Sequence, residues 1–289
     1  MRSLALLLLV VACGGSPKHA TDSGGAGDDP FVDRESKPRS FTVEVHGTGR
    51  PVIFIPGLGC PGTMWDATVQ HLSGVQAHVL TLAGFAGTAP IKPPLAATVR
   101  RELVHYIHSH HLEKPIVIGH SMGGFIAYWL AATAPDLLGG VVVVDAGPSL
   151  ADNDLETAKS LRNMWAQAGD DELPEQVKNA YSSMTTDPKR IAPYLAAIAK
   201  SDRQTMGDAI FELVTTSVSD KVAHITAPLL LVLADGGYQQ MYRQQAASVP
   251  HHEVVVLPHT RHFVFFDDPV GWYRVLDKFL ADTASQPHS

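Results

Sequence analysis

Gly119-His120-Ser121-Met122-Gly123 is a G-x-S-x-G pentapeptide, set between the β-branched run "PIVIG" and the apolar, helix-like "FIAYWL". A serine placed at such a bend can attack a carbonyl, provided that a base accepts its proton. The glycines have a steric reason. A tight strand-to-helix turn strains the central residue, and Cβ atoms two residues away on either side would collide. That strain lifts the hydroxyl above the sheet edge. The Met122 N–H then falls at a helix start, where unsatisfied donors and the positive dipole end favour a developing oxyanion.

Other reactive residue types are weaker. In "HYIHSHH", His105, His108 and His111 recur at three-residue steps and could share a helix face, but the run offers no carboxylate or cysteine partner. It reads as a solvated helix, and no metal site is expected. His251-His252 opens a strand and needs no ligand.

The elements that must hold Ser121 are legible in the hydrophobic pattern. "FTVEVHGTGRPVIFIPG" gives two β-rich runs around a glycine-containing turn, the pattern of a hairpin. "AHVLTLAG" predicts a strand, and "LAATVRRELVHYIHSHHL" a helix on Val99, Leu103, Val104, Ile107 and Leu112. "GGVVVVDA", "APLLLVLAD" and "HHEVVVLP" predict further strands, "YQQMYRQQAAS" a helix, and a last helix starts near Pro269. Short apolar strands alternating with helices imply an α/β fold: a mostly parallel, twisted central β-sheet with helices on both faces. Sites in such sheets lie beyond the carboxyl ends of the strands. From Asp145 to Pro228 the strand signal stops. Leu155, Leu161, Met164 and Trp165, then Tyr194, Leu195 and Ile198, then Ile210, Leu213 and Val214 mark amphipathic helices there.

"GHSMGG", with "FIPGLG" upstream and "LTLAGFAGT" between them, resembles the α/β-hydrolase fold family, specifically its capped serine hydrolases, from about residue 40 to 283. The resemblance implies a core of 40–147 and 223–283 and a helical lid, 148–222, inserted after strand 6. Gly57-Leu58 matches the family's oxyanion loop, although Pro56 stands where a histidine is common. The Leu58 N–H would then be the second oxyanion donor beside that of Met122.

Family order, serine then acid then histidine, puts the base late in the chain. His262, in "PHTRHFVFFDDP", resembles the catalytic histidine; His259 is its competitor but lies close to the strand end. Two aspartates could orient the imidazole: Asp145 closes "VVVVD" and Asp235 closes "LLLVLAD". Asp267 and Asp268 read as helix-cap residues, the latter before Pro269. Gly57, in the oxyanion loop, and His120, next to the serine in the chain, are expected at the substrate pocket. Trp65 and Trp165, from loop and lid, are the aromatic candidates to line it.

The expected activity is acyl-enzyme hydrolysis of an ester, thioester, lactone or amide, a small-molecule acyl substrate. A C–C bond hydrolase, an acyltransferase or a ligand-binding protein without catalysis are the alternatives, because one triad serves many reactions. No organic cofactor is implied. A formal charge of -7 without a basic run argues against a nucleic-acid partner. Met1-Arg2 followed by "LALLLLVV" predicts an export signal over 1–12, too short to span a bilayer. "VVAC" resembles the lipobox of bacterial lipoproteins, which implies lipidation of Cys13, membrane anchoring and a place in the cell envelope. Residues 13–39, rich in Gly, Ser and Asp, read as a flexible tether.

Overall fold

A computed structural model describes residues 39–150 and 155–284. The expected signal segment, Cys13 and all but the last residue of the tether lie outside the described residues. The chain runs β1 (Phe41–Gly47), β2 (Arg50–Ile55), α1 (Asp66–His71), β3 (Val75–Leu82), α2 (Leu95–Ser109), β4 (Ile116–His120), α3 (Met122–Thr133) and β5 (Gly140–Val144). Then follow α4 (Leu155–Ala166), α5 (Leu173–Ser183), α6 (Pro188–Ile198) and α7 (Arg203–Thr215). The chain returns to the sheet with β6 (Leu229–Ala234), α8 (Gln239–Ala246), β7 (His252–Leu257), α9 (Val264–Asp267) and α10 (Pro269–Ala284).

The strands form one sheet in the order β1-β3-β2-β4-β5-β6-β7, parallel except for β1. The four central strands read "VIFI", "IVIGH", "GVVVV" and "LLLVLA" because both of their faces are covered. Every residue in those runs is buried.

The hairpin expected of the first two runs does not form. β1 pairs antiparallel with β3, from Phe41 opposite Leu82 to Gly47 opposite Gln76, and β2 lies on the far side of β3. Burial explains the exchange. Val52–Ile55 is covered on every side and needs a neighbour at each edge, whereas most of β1 is exposed and belongs at the rim. Gly49 makes the step across β3 feasible: its φ is +127°, and a Cβ there would lie 2.0 Å from the Gly74 carbonyl oxygen.

The expected lid position, after strand 6, counts "VIFIP" as the third strand. Here that strand is the second, so the helical insertion follows β5. Among the described residues it holds four helices, one more than the apolar groups mark; the unmarked one is α5. The insertion is stitched to the core through polar groups. Helix α2 begins after Pro94, which has no side-chain acceptor, and the carboxylate of Glu212 on α7 accepts the N–H groups of Ala96 (2.8 Å) and Ala97 (2.9 Å) instead. Burial raises the pKa of that carboxyl above its ordinary value, and the backbone hydrogen bonds offset only part of the rise. No helix of the described residues is long and apolar enough to cross a membrane.

Candidate active site

β4 ends at His120 and α3 begins at Met122, so Ser121 alone makes the bend, with φ 54° and ψ -120°. That backbone region is costly for a residue with a side chain and persists only where its surroundings enforce it. The crowding read from the glycines is there. A Cβ on Gly119 would lie 2.2 Å from the Gly123 carbonyl oxygen, and one on Gly123 2.2 Å from that of Ile55. Ser121 N–H donates to the Val144 carbonyl at 3.0 Å, which locks the bend to the end of β5.

One residue beyond β5, Asp145 takes φ 45° and donates its N–H to Val232 on β6 at 2.8 Å. Its Oδ1 accepts the Ala234 N–H at 3.0 Å, and its Oδ2 lies 2.6 Å from Nδ1 of His262. Asp235 does something else: its carboxylate accepts the His259 N–H at 3.1 Å. Of the two aspartates, the structure brings Asp145 to the imidazole and uses Asp235 to shape the loop beneath it. His259, at φ 60°, is a turn residue of that loop.

With Nδ1–H donated to the carboxylate, Nε2 of His262 is left as the basic nitrogen. The His262 ring packs 4.6 Å from that of His120, the residue before the serine, so distant parts of the chain meet here. Among the described residues no hydrogen bond joins Ser121 Oγ to His262. Such contacts tighten when substrate binds.

His120 departs from the expectation that it lines the pocket. It is buried, and its Nε2–H donates to the His262 carbonyl oxygen at 3.0 Å. Burial, reinforced by the neighbouring His262, holds its pKa well below the usual histidine value, so it supports the loop as a neutral ring. Trp65 also departs: it is fully buried with Phe54, Phe265 and Trp272 at centroid distances of 5.5, 4.8 and 6.3 Å, because the short helical turn 62–65 directs it into the core. Trp165 is buried in α4, one of the inserted helices, rather than presented as an open wall.

Gly57 is at the serine: a Cβ there would lie 3.3 Å from Ser121 Cβ and 3.0 Å from His120 Nδ1. The Leu58 and Met122 N–H groups donate to no protein acceptor among the described residues. They are therefore free to serve a ligand. The chemistry the site offers is one strained hydroxyl, one imidazole oriented by a carboxylate, and two unspent N–H donors. The three histidines of "HYIHSHH" do not form one face, since α2 stops at Ser109 and His111, at φ 53°, lies beyond it.

Asp268 caps α10 as expected, accepting the Gly271 N–H at 2.9 Å. Asp267 does not act as a cap. Its Oδ2 accepts the Arg261 N–H (2.7 Å), and its Oδ1 accepts the Thr185 hydroxyl (2.5 Å) and the Thr186 N–H (2.8 Å). It ties the histidine loop to the insertion, as does the Phe263 N–H bonded to the Met184 carbonyl at 3.2 Å. Tyr181 and Ser201, which touch the loop at Leu58 and Gly59, are absent from the sequence-based candidates; isolated hydroxyls carry no periodic signal.

The family model described as "Alpha/beta hydrolase family" matches residues 52–275. An sn-1-specific diacylglycerol lipase, ABHD11 of Danio rerio, is 34% identical over 43% of this chain, and the match spans 41% of that lipase. A putative carbamate hydrolase, RutD of Azorhizobium caulinodans, is 26% identical over 66% of this chain and 75% of its own. Among solved structures, an esterase from Thermogutta terrifontis superposes with a TM-score of 0.74 at 20% identity, covering 84% of this chain and 93% of that one. An esterase from Exiguobacterium antarcticum gives 0.75 at 16%, over 83% and 95%. These two likenesses are of fold.

Proposed function

Because this chain belongs to the alpha/beta hydrolase family, and is a hydrolase of that fold, we propose that it cleaves carboxylic esters by a serine mechanism with Ser121, His262 and Asp145 as its triad. The observation that carries the reading is the 2.6 Å contact between Asp145 Oδ2 and His262 Nδ1 beside a serine held at φ 54°. Nε2 of His262 takes the Ser121 proton as Oγ bonds to the carbonyl carbon. The oxyanion accepts from the Leu58 and Met122 N–H groups, each donor worth about 10²–10³-fold. Collapse expels the alcohol, protonated by His262, and leaves an acyl serine. Water then gives a proton to the same Nε2 and attacks the acyl carbon, releasing the acid and restoring Ser121.

The inserted helices, by the same reading, form a cap over this site, within the 148–222 insertion between core segments 40–147 and 223–283. Their bonds to the histidine loop through Thr185, Thr186 and Met184 support it. Thioesters, lactones and amides share the acyl chemistry and belong in one panel with esters of increasing chain length. Anchoring through lipid on Cys13 rests on "VVAC" after the apolar run; incorporation of an alkynyl fatty acid by the wild type and not by Cys13→Ser tests it.

A fluorophosphonate probe tests the mechanism. It should label the wild type and not Ser121→Ala, with ester turnover lost in the same variant. A folded wild type that takes no label would sink the reading and favour a protein that only binds its ligand.

A further inference from the structure

The loop that carries the Leu58 N–H has little shape of its own. It lies between Pro56 and Cys60, contains two glycines, and depends on Gly59 at φ 67°, a conformation glycine enters and leaves readily. An oxyanion donor on such a loop works only if its direction is fixed before the charge appears.

Three carbonyl contacts supply that restraint. Gly57 C=O accepts the Cys60 N–H at 3.1 Å. Leu58 C=O accepts the phenolic hydroxyl of Tyr181, on α5, at 2.5 Å. Gly59 C=O accepts the hydroxyl of Ser201, between α6 and α7, at 3.2 Å. Ser201 Oγ in turn accepts the Ala86 N–H at 2.9 Å, so one hydroxyl joins the loops that follow β2 and β3. Leu58 sits between two peptide planes: the first is held through Gly57 O, the second through Leu58 O. The Leu58 N–H lies in the first plane, so its direction follows the Gly57 carbonyl; the second plane leads the chain to the Cys60 N–H that holds that carbonyl, so a turn of the second plane would release the first. Only the first restraint comes from the loop itself.

We infer that Tyr181 and Ser201 are positioning residues through which the inserted helices set the oxyanion loop for catalysis. This rests on the serine-hydrolase reading above. Tyr181 suits that role because its side chain is buried, and burial raises its pKa so that it remains a donor across the neutral range. The insertion is then part of the catalytic apparatus as well as its cover.

Tyr181→Phe keeps the ring and deletes the hydroxyl. With a p-nitrophenyl ester, kcat should fall about tenfold with KM within twofold, less than deleting a donor outright because the loop is loosened and not removed. A trifluoromethyl ketone, which gives a hemiketal oxyanion with Ser121, should weaken by the same factor. Ser201→Ala should show the same pattern at about threefold, in keeping with its longer bond. Tyr106→Phe, which removes a buried phenol bonded to His78 at 2.7 Å by the β1–β3 edge of the sheet, should cost stability and leave kcat unchanged. A folded Tyr181→Phe with kcat and inhibitor affinity within twofold of wild type overturns the inference, as does a rise in KM alone. Should Tyr181→Phe not fold, Ser201→Ala decides by the same criteria. A wild type without turnover defeats the serine reading separately, and amide hydrogen exchange at Leu58–Cys60 then reads the clamp: faster exchange in Tyr181→Phe supports it, unchanged exchange overturns it.

Discussion

The strand ends and the inserted helices both furnish the site, but they hold their residues by different means. At the ends of β4 and β5, position comes from backbone against backbone: Gly119 against Gly123, Gly123 against Ile55, Ser121 N–H on Val144. The insertion works mostly through single side-chain bonds, such as Tyr181 to Leu58, Ser201 to Gly59 and Thr185 to Asp267, beside the backbone bond from Phe263 to Met184. Crowded backbone cannot rearrange without unfolding, whereas a hydroxyl can be removed at local cost. The core should therefore fix which chemistry is available, and the insertion how well it is tuned.

The largest expected effect tests the two aspartates against each other. Asp145→Asn leaves an amide that cannot hold the imidazole in its working tautomer, and kcat should fall about 10⁴-fold. Asp235→Asn keeps a side-chain oxygen for the His259 N–H and should lose less than about tenfold, the scale of one hydrogen bond. Turnover of both variants on one ester decides; the reverse order would move the acid to β6.

Next comes a steric test. The Cβ of Gly123→Ala would meet a carbonyl oxygen at 2.2 Å, with no flexible group to yield, and should cost about 3 kcal/mol or more of unfolding free energy in a urea titration. In Gly59→Ala the nearest atoms are the end of Met206 at 2.8 Å and the Tyr181 hydroxyl at 3.1 Å, so the residual penalty of φ 67° should dominate, about 1 kcal/mol. Equal losses in the two variants would erase the distinction between the regions.

That distinction also explains what is legible in the sequence. The sheet, the bend at Ser121 and the late histidine can be read there because continuous apolar runs, paired glycines and chain order are periodic or local signals. The partner of β1 cannot: it depends on which run needs two neighbours, a matter of burial. Asp145 and Asp235 each end a strand, and only the path of the histidine loop separates them. Trp65 reads as a loop aromatic because the short turn that buries it leaves no periodicity. Helix α5, with Leu173, Val177, Ala180 and Tyr181 buried, is missing from the apolar groups marked in the sequence, and it carries the hydroxyl that meets Leu58.

Acid should separate the regions too, since the core holds histidines kept neutral by burial. His78, between Tyr106 and Gln76, is pushed from its ordinary 6.5 to about 4, chiefly by burial and then by His110. The folded state thus binds fewer protons than the unfolded chain, so this stability is complete above about pH 6.5 and is lost as the pH falls towards 4. The loss should reach about 2 kcal/mol by pH 5. Urea midpoints at pH 7 and pH 5 should converge in His78→Gln relative to wild type; parallel slopes would place the acid sensitivity elsewhere.

The smallest effect expected is at the seam between the two regions. Asp267 joins Arg261, one residue before His262, to Thr185 and Thr186 of the insertion. Asn in its place has one oxygen instead of two and turns a donor towards other donors, so one side of the bridge must open. Because the carboxylate is partly exposed, water takes up much of the loss, and stability should fall by only about 1 kcal/mol. Hydrogen exchange should rise around residues 184–187 and 261–267 and remain unchanged in β4 and β5. If protection fell in those strands as well, the insertion would be structurally continuous with the core, and the two ways of holding the site would be one.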